Sequence, residues 1–375
     1  MDIEKVWIDC KIGNLDFPTF PRDGMQIKFP VLRPGAYKYA PLISSSVAQT
    51  AKAHVDTFLR RHFSEDLTSA RIKNIVTDII PFCAWTYPQL SQEYDLPYQI
   101  YCYIMCLAVI IDDIFDDPDS QIYKMTMEKN SSTQLVNALN TCLDLENGIF
   151  SDLNCEKCPI TEFEFVETEF AQKILSVEFG GLSMVGVIGV VSGIKLPPFL
   201  KSHPQLGHLM NLCEKICCVQ NDVLGVWKDL MAKEEATSLI MYNVRNGKDI
   251  CHAINEEVGR MSTDIDDYIL VRQSLLESYR ENVELVGFVS VMDNFIVGHM
   301  FAIAYAQRYS EDGVIELRQN GELIHKHRGQ MILSQLMETR VAAGSENATR
   351  YPTRYPQYNY PYPHGYPLPA TRYEN

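Results

Sequence analysis

Basic residues are scarce in this sequence. Its 375 residues include 33 Lys and Arg against 48 Asp and Glu, which gives a formal net charge of −15. Proteins that bind nucleic acid usually concentrate basic side chains in one patch, because their affinity comes from neutralising phosphates. The shortage argues against a nucleic-acid-binding protein.

Long hydrophobic runs and the features of a signal peptide are also missing. The longest apolar stretches, residues 100–111 and 182–191, are shorter than the roughly 18 to 20 residues that a membrane-spanning helix needs. The N-terminal residues lack the basic and apolar regions of a secretory signal. We therefore expect no membrane span and a cytoplasmic protein.

Metal-binding cysteine spacing is nearly absent, although the chain has 11 cysteines. The only CxxC pair is Cys155 and Cys158, without a second pair or a histidine at a zinc-like distance. Others, such as Cys102 and Cys213, lie in apolar runs and are expected to pack as small hydrophobic residues. A zinc site is therefore not favoured.

Aliphatic residues almost disappear at the C-terminal end. Residues 344–375 contain 6 prolines and repeated tyrosines, a composition that predicts an irregular tail. Residues 1–40 are rich in Pro and Phe and are predicted to form an irregular N-terminal arm. A single α-helical domain is predicted for residues 41–343.

This predicted domain shows the apolar spacing of helices. Ile72, Ile75 and Ile79 recur at intervals of three to four residues, and no alternating strand series is evident. Residues 101–112, 174–191 and 209–226 are apolar nearly all round, which is typical of central helices. The pattern predicts an all-α fold, in which polar residues on the central helices need an explanation.

Carboxylates cluster where the first of these apolar helices ends, in the run DDIFDD at residues 112–117. A spacing of four residues puts Asp112 and Asp116 on one helix face, and Asp113 and Asp117 on the next. The charges repel one another and oppose the negative end of the helix dipole. Oxygen ligands in this arrangement indicate a hard cation such as Mg²⁺; a solvated helix end is the alternative.

A second polar face lies on another apolar helix. Asn221, Gly225 and Asp229 follow at intervals of four residues and so share one side of a helix. The amide and carboxylate oxygens could bind a second metal, with Gly225 leaving space for a water ligand. Lys228 could add a cation for an anionic substrate.

Together with one earlier and one later residue pair, these motifs resemble the microbial-type class I terpene cyclases, a type also found in corals. Tyr87-Pro88 precedes the DDIFDD run, and the segment from Asn221 to Asp229 is similar to the family's NDxxSxxxE motif. Arg308-Tyr309 is similar to its late RY pair. The order and spacing of the motifs carry the resemblance, which covers most of the predicted helical domain.

The resemblance implies a single-domain, class I terpenoid synthase-like helical bundle around a central apolar cavity. It implies three Mg²⁺ ions, which Mn²⁺ can replace. The implied metal-binding positions are Asp112, Asp113, Asp116, Asn221, Gly225 (through water) and Asp229. The side chains implied to hydrogen-bond the diphosphate are Lys228, Arg308 and Tyr309. The positions on which catalysis depends are Asp112, Asn221, Asp229, Arg308 and Tyr309.

Three departures from the family's pattern are present. Gly225 stands where the family usually has Ser or Thr, and Asp229 replaces Glu. The arginine that usually senses the diphosphate is missing from the region before Gly180-Gly181, where the helix is expected to break. Lys173 is the candidate to replace it.

Aromatic residues on the predicted helices could line the cavity. The candidates are Phe82, Trp85, Phe115, Phe179, Phe301 and Tyr305. Ordinary core packing is the alternative for each one. Ala302 occupies a position where the family often has Trp, and this smaller residue favours geranylgeranyl diphosphate slightly over farnesyl diphosphate.

The resulting hypothesis is a terpene cyclase that ionises a linear isoprenyl diphosphate, geranylgeranyl or farnesyl, and cyclises the carbocation to a hydrocarbon or alcohol. It would release diphosphate and act as a monomer or homodimer. One alternative is a chain-elongating prenyl transferase, a class that normally repeats DDxxD on the second helix. Another is a catalytically inactive helical protein that binds partner domains through its Tyr/Pro-rich tail.

Overall fold

A computed structural model describes residues 3–34, 45–64, 67–88, 96–116, 194–232, 238–306, 309, 315–319 and 322–323. The predicted tail, residues 344–375, lies outside the described residues. So does residue range 174–191, one of the three predicted central helices. In residues 111–116 the backbone is described but the side chains are not.

The described residues are mostly helical, as predicted. Nine helices occur in these ranges: α1 (Ser45–Phe63), α2 (Ser69–Thr86), α3 (Leu96–Asp116), α4 (Pro198–Lys201), α5 (Pro204–Leu224), α6 (Val226–Ala232), α7 (Leu239–Arg245), α8 (Ile250–Ser278) and α9 (Val283–Tyr305).

Helix α2 shows how local sequence and packing combine. The Thr68 hydroxyl accepts a hydrogen bond from the Arg71 N–H and so caps the first turn. The predicted stripe containing Ile72, Ile75 and Ile79 is buried, which drives the helix onto its neighbours. At its other end, the Thr86 hydroxyl lies 2.6 Å from the Tyr101 hydroxyl of α3.

Helix α9 is the central helix of the described bundle and packs against α2 and α5. Gly298 permits a close crossing with α2, because a Cβ there would lie 2.0 Å from the Trp85 carbonyl oxygen. By length and composition alone, Val283–Ala304 could cross a membrane, but most of it is buried within the structure. This burial is expected of a core helix.

A buried polar network joins α8 to α9. An ion pair connects Arg272 and Asp293 at 2.9 Å, and the Tyr268 hydroxyl donates to Asp293 at 3.0 Å. Both members of the ion pair are almost fully buried. Such a network is costly to disrupt, since removal of one partner leaves an uncompensated charge in the core.

The prediction of an irregular N-terminal arm is wrong for much of residues 3–34. Two antiparallel strands, β1 (Ile3–Ile12) and β2 (Met25–Pro34), pair with Ile8 opposite Phe29. In β1 the side chains of Ile8, Cys10 and Ile12 are buried and alternate with more accessible residues, a strand pattern that the Pro and Phe content obscured.

The sheet also includes residues from the other end of the chain. Strands β3 (Ile315–Gln319) and β4 (Glu322–Leu323) complete the antiparallel order β2-β1-β3-β4; these short strands lie in residues 41–343, where no alternating strand series is evident in the sequence. Because β2 is an edge strand of this sheet, it tolerates Pro30, which has no N–H to donate. Strands β1 and β2 contact α8.

Candidate functional site

The second polar motif lies at a bend between two helices rather than on one continuous helix. Helix α5 ends at Leu224 and α6 begins at Val226. Helical hydrogen bonding nevertheless continues through the bend, from the Gly225 N–H to the Asn221 carbonyl at 2.7 Å and from the Asp229 N–H to the Gly225 carbonyl at 3.2 Å. Asn221, Gly225 and Asp229 therefore remain one turn apart, as the spacing predicts.

Tyr309, which is 84 residues later than Gly225, packs directly on this bend. A Cβ at Gly225 would lie 3.2 Å from Tyr309 Cδ1 and 3.3 Å from Asn221 Oδ1. The structure thus brings the tyrosine of the RY pair beside the asparagine of the earlier motif. The predicted water ligand at Gly225 stays a prediction; the described neighbours of that face are the Tyr309 ring and Asn221.

The charged residues of the motif point into the same region. Lys228 Nζ lies 3.8 Å from Asp229 Oδ1 and 5.7 Å from the centre of the Tyr309 ring. The two charged side chains are only 15% and 7% exposed. In such a partly desolvated setting, a cation interacts more strongly with anionic oxygens than it would on an open surface.

Asp222, next to Asn221, has a different role from its neighbours. Its carboxylate accepts a hydrogen bond from the Leu239 N–H at the start of α7, at 2.9 Å. Burial is the main cause that raises the pKa of Asp222 to about 7. The residue thus links α5 to α7, a function that the sequence motif alone did not indicate.

Several predicted site residues cannot be placed as side chains. Asp112, Asp113 and Asp116 lie in the last turns of α3, and Phe115 lies among them, but their side chains are outside the described part. The side chain of Tyr305, the last residue of α9, is also outside it. The predicted residues that lie wholly outside the described ranges are Lys173, Phe179 and Arg308.

Three of the predicted cavity residues are buried aromatic side chains on α2 and α9. Trp85 and Phe301 stack with ring centres 5.3 Å apart and an angle of 25° between the rings. Phe82 and His299 pack edge to face, with ring centres 5.8 Å apart. These rings form an aromatic region where α2 crosses α9.

His299 and Gln220 are a pair that the sequence reasoning missed. His299 Nδ1 lies 3.0 Å from Gln220 Oε1, with the imidazole as donor because an amide oxygen only accepts. Burial lowers the pKa of His299 to about 3, so the ring is neutral. The available signal was a polar residue on each of two apolar helices, one of them directly before Asn221.

The donor atoms at the bend suit a hard cation. Asn221 and Asp229 supply oxygen, the ligand atom that Mg²⁺ prefers, and Asp229 is buried, where a carboxylate gains from a nearby positive charge. Within the described residues, no group of three His, Cys, Asp or Glu side chains could hold a metal. A complete metal site at the bend would need further ligands beyond Asn221 and Asp229.

Comparison with solved structures identifies the fold, whereas no protein-family model and no curated protein sequence matches the chain. The 2-methylisoborneol synthase from Streptomyces coelicolor A3(2), in complex with Mg²⁺ and 2-fluoroneryl diphosphate, aligns with a TM-score of 0.54 and 12% identity. The alignment covers 75% of this chain and 99% of that enzyme.

Two further synthases give similar alignments. Linalool/nerolidol synthase from Streptomyces clavuligerus, in complex with 2-fluorogeranyl diphosphate, has a TM-score of 0.51 at 13% identity, over 68% of this chain and 98% of its own. A single-substitution variant of cucumene synthase has a TM-score of 0.51 at 15% identity, over 72% and 98%. The predicted all-α architecture is thereby confirmed, and the chain has the fold of the microbial class I terpene synthases.

Proposed function

We propose that the protein is a terpene cyclase that ionises a linear isoprenyl diphosphate, geranylgeranyl or farnesyl, and closes the resulting carbocation into a ring. The observation that carries the proposal is the packing of Tyr309 against Gly225 and Asn221. Two motifs separated by more than eighty residues of sequence, each of which resembles part of a diphosphate-binding site, meet at one bend.

The side chains at this bend are suited to holding a leaving diphosphate. Lys228 and the Tyr309 hydroxyl are donors, and Arg308 of the RY pair is proposed to add a third. Hydrogen-bond donors aimed at developing negative charge lower the barrier to bond cleavage most where water is excluded. Ionisation breaks the allylic C–O bond, and both electrons leave with the diphosphate oxygen.

Asn221 and Asp229 are proposed to hold Mg²⁺ together with Asp112 and Asp116 of α3. Bound Mg²⁺ would supply Lewis-acid stabilisation of the charge on the diphosphate. The acidic side chains and the anionic substrate can then share one site, because the metal ions reverse the local sign of charge. The net charge of −15 is compatible with a polyanionic substrate for this reason.

The aromatic region formed by α2 and α9 is proposed to face the carbocation. The stacked rings of Trp85 and Phe301 could stabilise a desolvated cation by up to about 2 kcal/mol each. His299 is neutral because burial lowers the pKa of its ring, so it adds no competing positive charge to this region. Exclusion of water by these buried rings would protect the cation from premature quenching.

The proposal is tested by incubating the purified protein with geranyl, farnesyl and geranylgeranyl diphosphates in the presence of Mg²⁺. Mass spectrometry of the organic extract should reveal a cyclic terpene from at least one of them, and a chelator should abolish it. In a parallel incubation with isopentenyl diphosphate as the second substrate, longer prenyl diphosphates in the aqueous phase would instead establish chain elongation. Failure to convert any of the three would leave the inactive interaction protein as the better account.

A further inference from the structure

Helix α6 carries Lys228 and Asp229, and its Val226, Trp227 and Leu230 side chains pack against the hydrophobic core. It has seven residues, fewer than the number at which an isolated helix becomes stable in water. At its N-terminal end it is attached to α5 through the hydrogen bonds around Gly225. Beyond that point it also contacts α7, the helix to which Asp222 is hydrogen-bonded.

Asp222 makes a hydrogen bond to a residue on the far side of this helix in the sequence. Its carboxylate accepts from the Leu239 N–H at 2.9 Å, a contact across 17 residues that include the whole of α6. The acceptor is therefore the residue directly after Asn221, and the donor is the first residue of α7.

Helix α7 is itself firmly held. The Ser238 hydroxyl caps it by accepting from the Met241 N–H at 3.2 Å, and both Ser238 and Ile240 are buried. Helix α7 in turn packs against α8 and α5. Two N–H groups of its first turn are thus occupied, one by its own cap and one by Asp222.

We infer that Asp222 is a positioning residue that fixes α6, and with it Asp229, relative to Asn221 through its bond to Leu239. This inference rests on the proposed function, in which Asn221 and Asp229 are magnesium ligands. Asp222 itself touches neither metal nor substrate in this role. Its loss would weaken Mg²⁺ binding because the two ligands would no longer be held at one separation.

The structure offers two independent ways to break the bond. Asp222→Ala removes the acceptor. Leu239→Pro removes the donor and leaves the carboxylate intact; proline suits the first position of a helix, and Ser238 already has the extended backbone that precedes proline comfortably. Asp222→Asn keeps an oxygen that can accept from Leu239, and Leu239→Ala keeps the N–H.

Asp249→Ala is the matched control for a lost carboxylate bond. The Asp249 side chain accepts from the His252 N–H at 3.0 Å and caps α8, so its removal costs a hydrogen bond of the same type outside the candidate site. It should lower thermal stability without changing magnesium binding.

The experiment measures thermal unfolding of the substrate-free protein with inorganic diphosphate while Mg²⁺ is titrated. In Asp222→Ala and Leu239→Pro, the half-saturating Mg²⁺ concentration should rise about ten- to a hundredfold, the range found when a residue that orients the metal ligands is lost. Asp222→Asn, Leu239→Ala and Asp249→Ala should stay close to the wild type. If Asp222→Ala does not fold, as judged by circular dichroism, Leu239→Pro decides alone.

Wild-type-like magnesium titrations in both Asp222→Ala and Leu239→Pro would overturn the positioning role. A defect in Asp222→Asn equal to that of Asp222→Ala would also overturn it, because it would indicate that the negative charge itself is needed. A wild-type protein that Mg²⁺ and diphosphate do not stabilise would overturn the magnesium site and this inference together. Normal magnesium binding without any cyclic product would overturn only the proposed function.

Discussion

Replacing Gly225 with alanine tests whether the close contact of Tyr309 with the bend matters for activity. The added Cβ would lie 2.6 Å from the Asn221 carbonyl oxygen and 3.2 Å from Tyr309 Cδ1. The first distance is shorter than real Cβ contacts, and its partner is backbone, which yields only if the helix moves. The substitution should therefore displace Asn221, Tyr309 or both.

The expected change in the free energy of unfolding combines two opposing effects, overpacking and the higher helix propensity of alanine. Overpacking typically destabilises by about 1–3 kcal/mol, while alanine gains about 0.5–1 kcal/mol over glycine in helical backbone. The difference is a net loss of up to about 2.5 kcal/mol in the free energy of unfolding. Displacement of catalytic groups by about 1 Å should lower kcat/KM about a hundredfold.

Gly225→Ser tests the same point more strictly. It restores the residue that the family usually has, so a simple view of the motif predicts higher activity. The geometry predicts a loss similar to that of alanine, because the serine Cβ meets the same atoms.

Gly207→Ala in α5 is the control, since nothing lies within 4 Å of a Cβ there. It should stabilise the protein by about 0.5–1 kcal/mol and leave kcat/KM unchanged. Urea unfolding and steady-state kinetics measure both quantities. Wild-type stability and activity in Gly225→Ala would refute the reasoning.

Three other predictions address pH, core stability and the metal ligands. His299 is expected to make the protein less stable in acid, because its pKa is about 3 in the folded protein and 6.5 ordinarily. Its contribution to the free energy of unfolding is therefore fully present above pH 6.5 and is lost as the pH falls below that value. Between about pH 7.5 and about pH 5 the loss should reach up to about 2 kcal/mol in urea unfolding, and a profile that His299→Gln does not flatten would contradict this assignment. Asp293→Asn leaves Arg272 without its buried carboxylate and should cost about 3–5 kcal/mol; a cost below about 1 kcal/mol, the range of exposed pairs, would argue against a buried network. Asp112→Ala and Asn221→Ala should each abolish turnover with helical circular dichroism unchanged, and full activity in either would remove that residue from the site.

Much of the helical architecture could be predicted because apolar residues recur every three to four residues within each helix. The stripe of Ile72, Ile75 and Ile79 in α2 is a repeat within one element, and it is buried as predicted. The sheet could not be found in the same way. Its strands join residues 3–34 to residues 315–323, and the two ends carry no local signal that they pair.

In the candidate site, too, local spacing could be predicted from the sequence, whereas contacts between distant segments could not. The spacing of Asn221, Gly225 and Asp229 predicts a shared face, and their backbone bonding agrees with it. Sequence did not predict that Tyr309, from a distant segment, packs at Gly225. The bond from Asp222 to Leu239 and the pairing of His299 with Gln220 were also missed, because each joins two helices.

The central claim is that the bend between α5 and α6 binds the metal and the diphosphate. A crystal structure of the protein with Mg²⁺ and 2-fluorofarnesyl diphosphate tests it directly, because the fluorine slows ionisation of the substrate. We expect Mg²⁺ in contact with Asn221 and Asp229, and diphosphate oxygens within hydrogen-bond distance of Lys228 and Tyr309. A diphosphate bound away from all four side chains would contradict the claim.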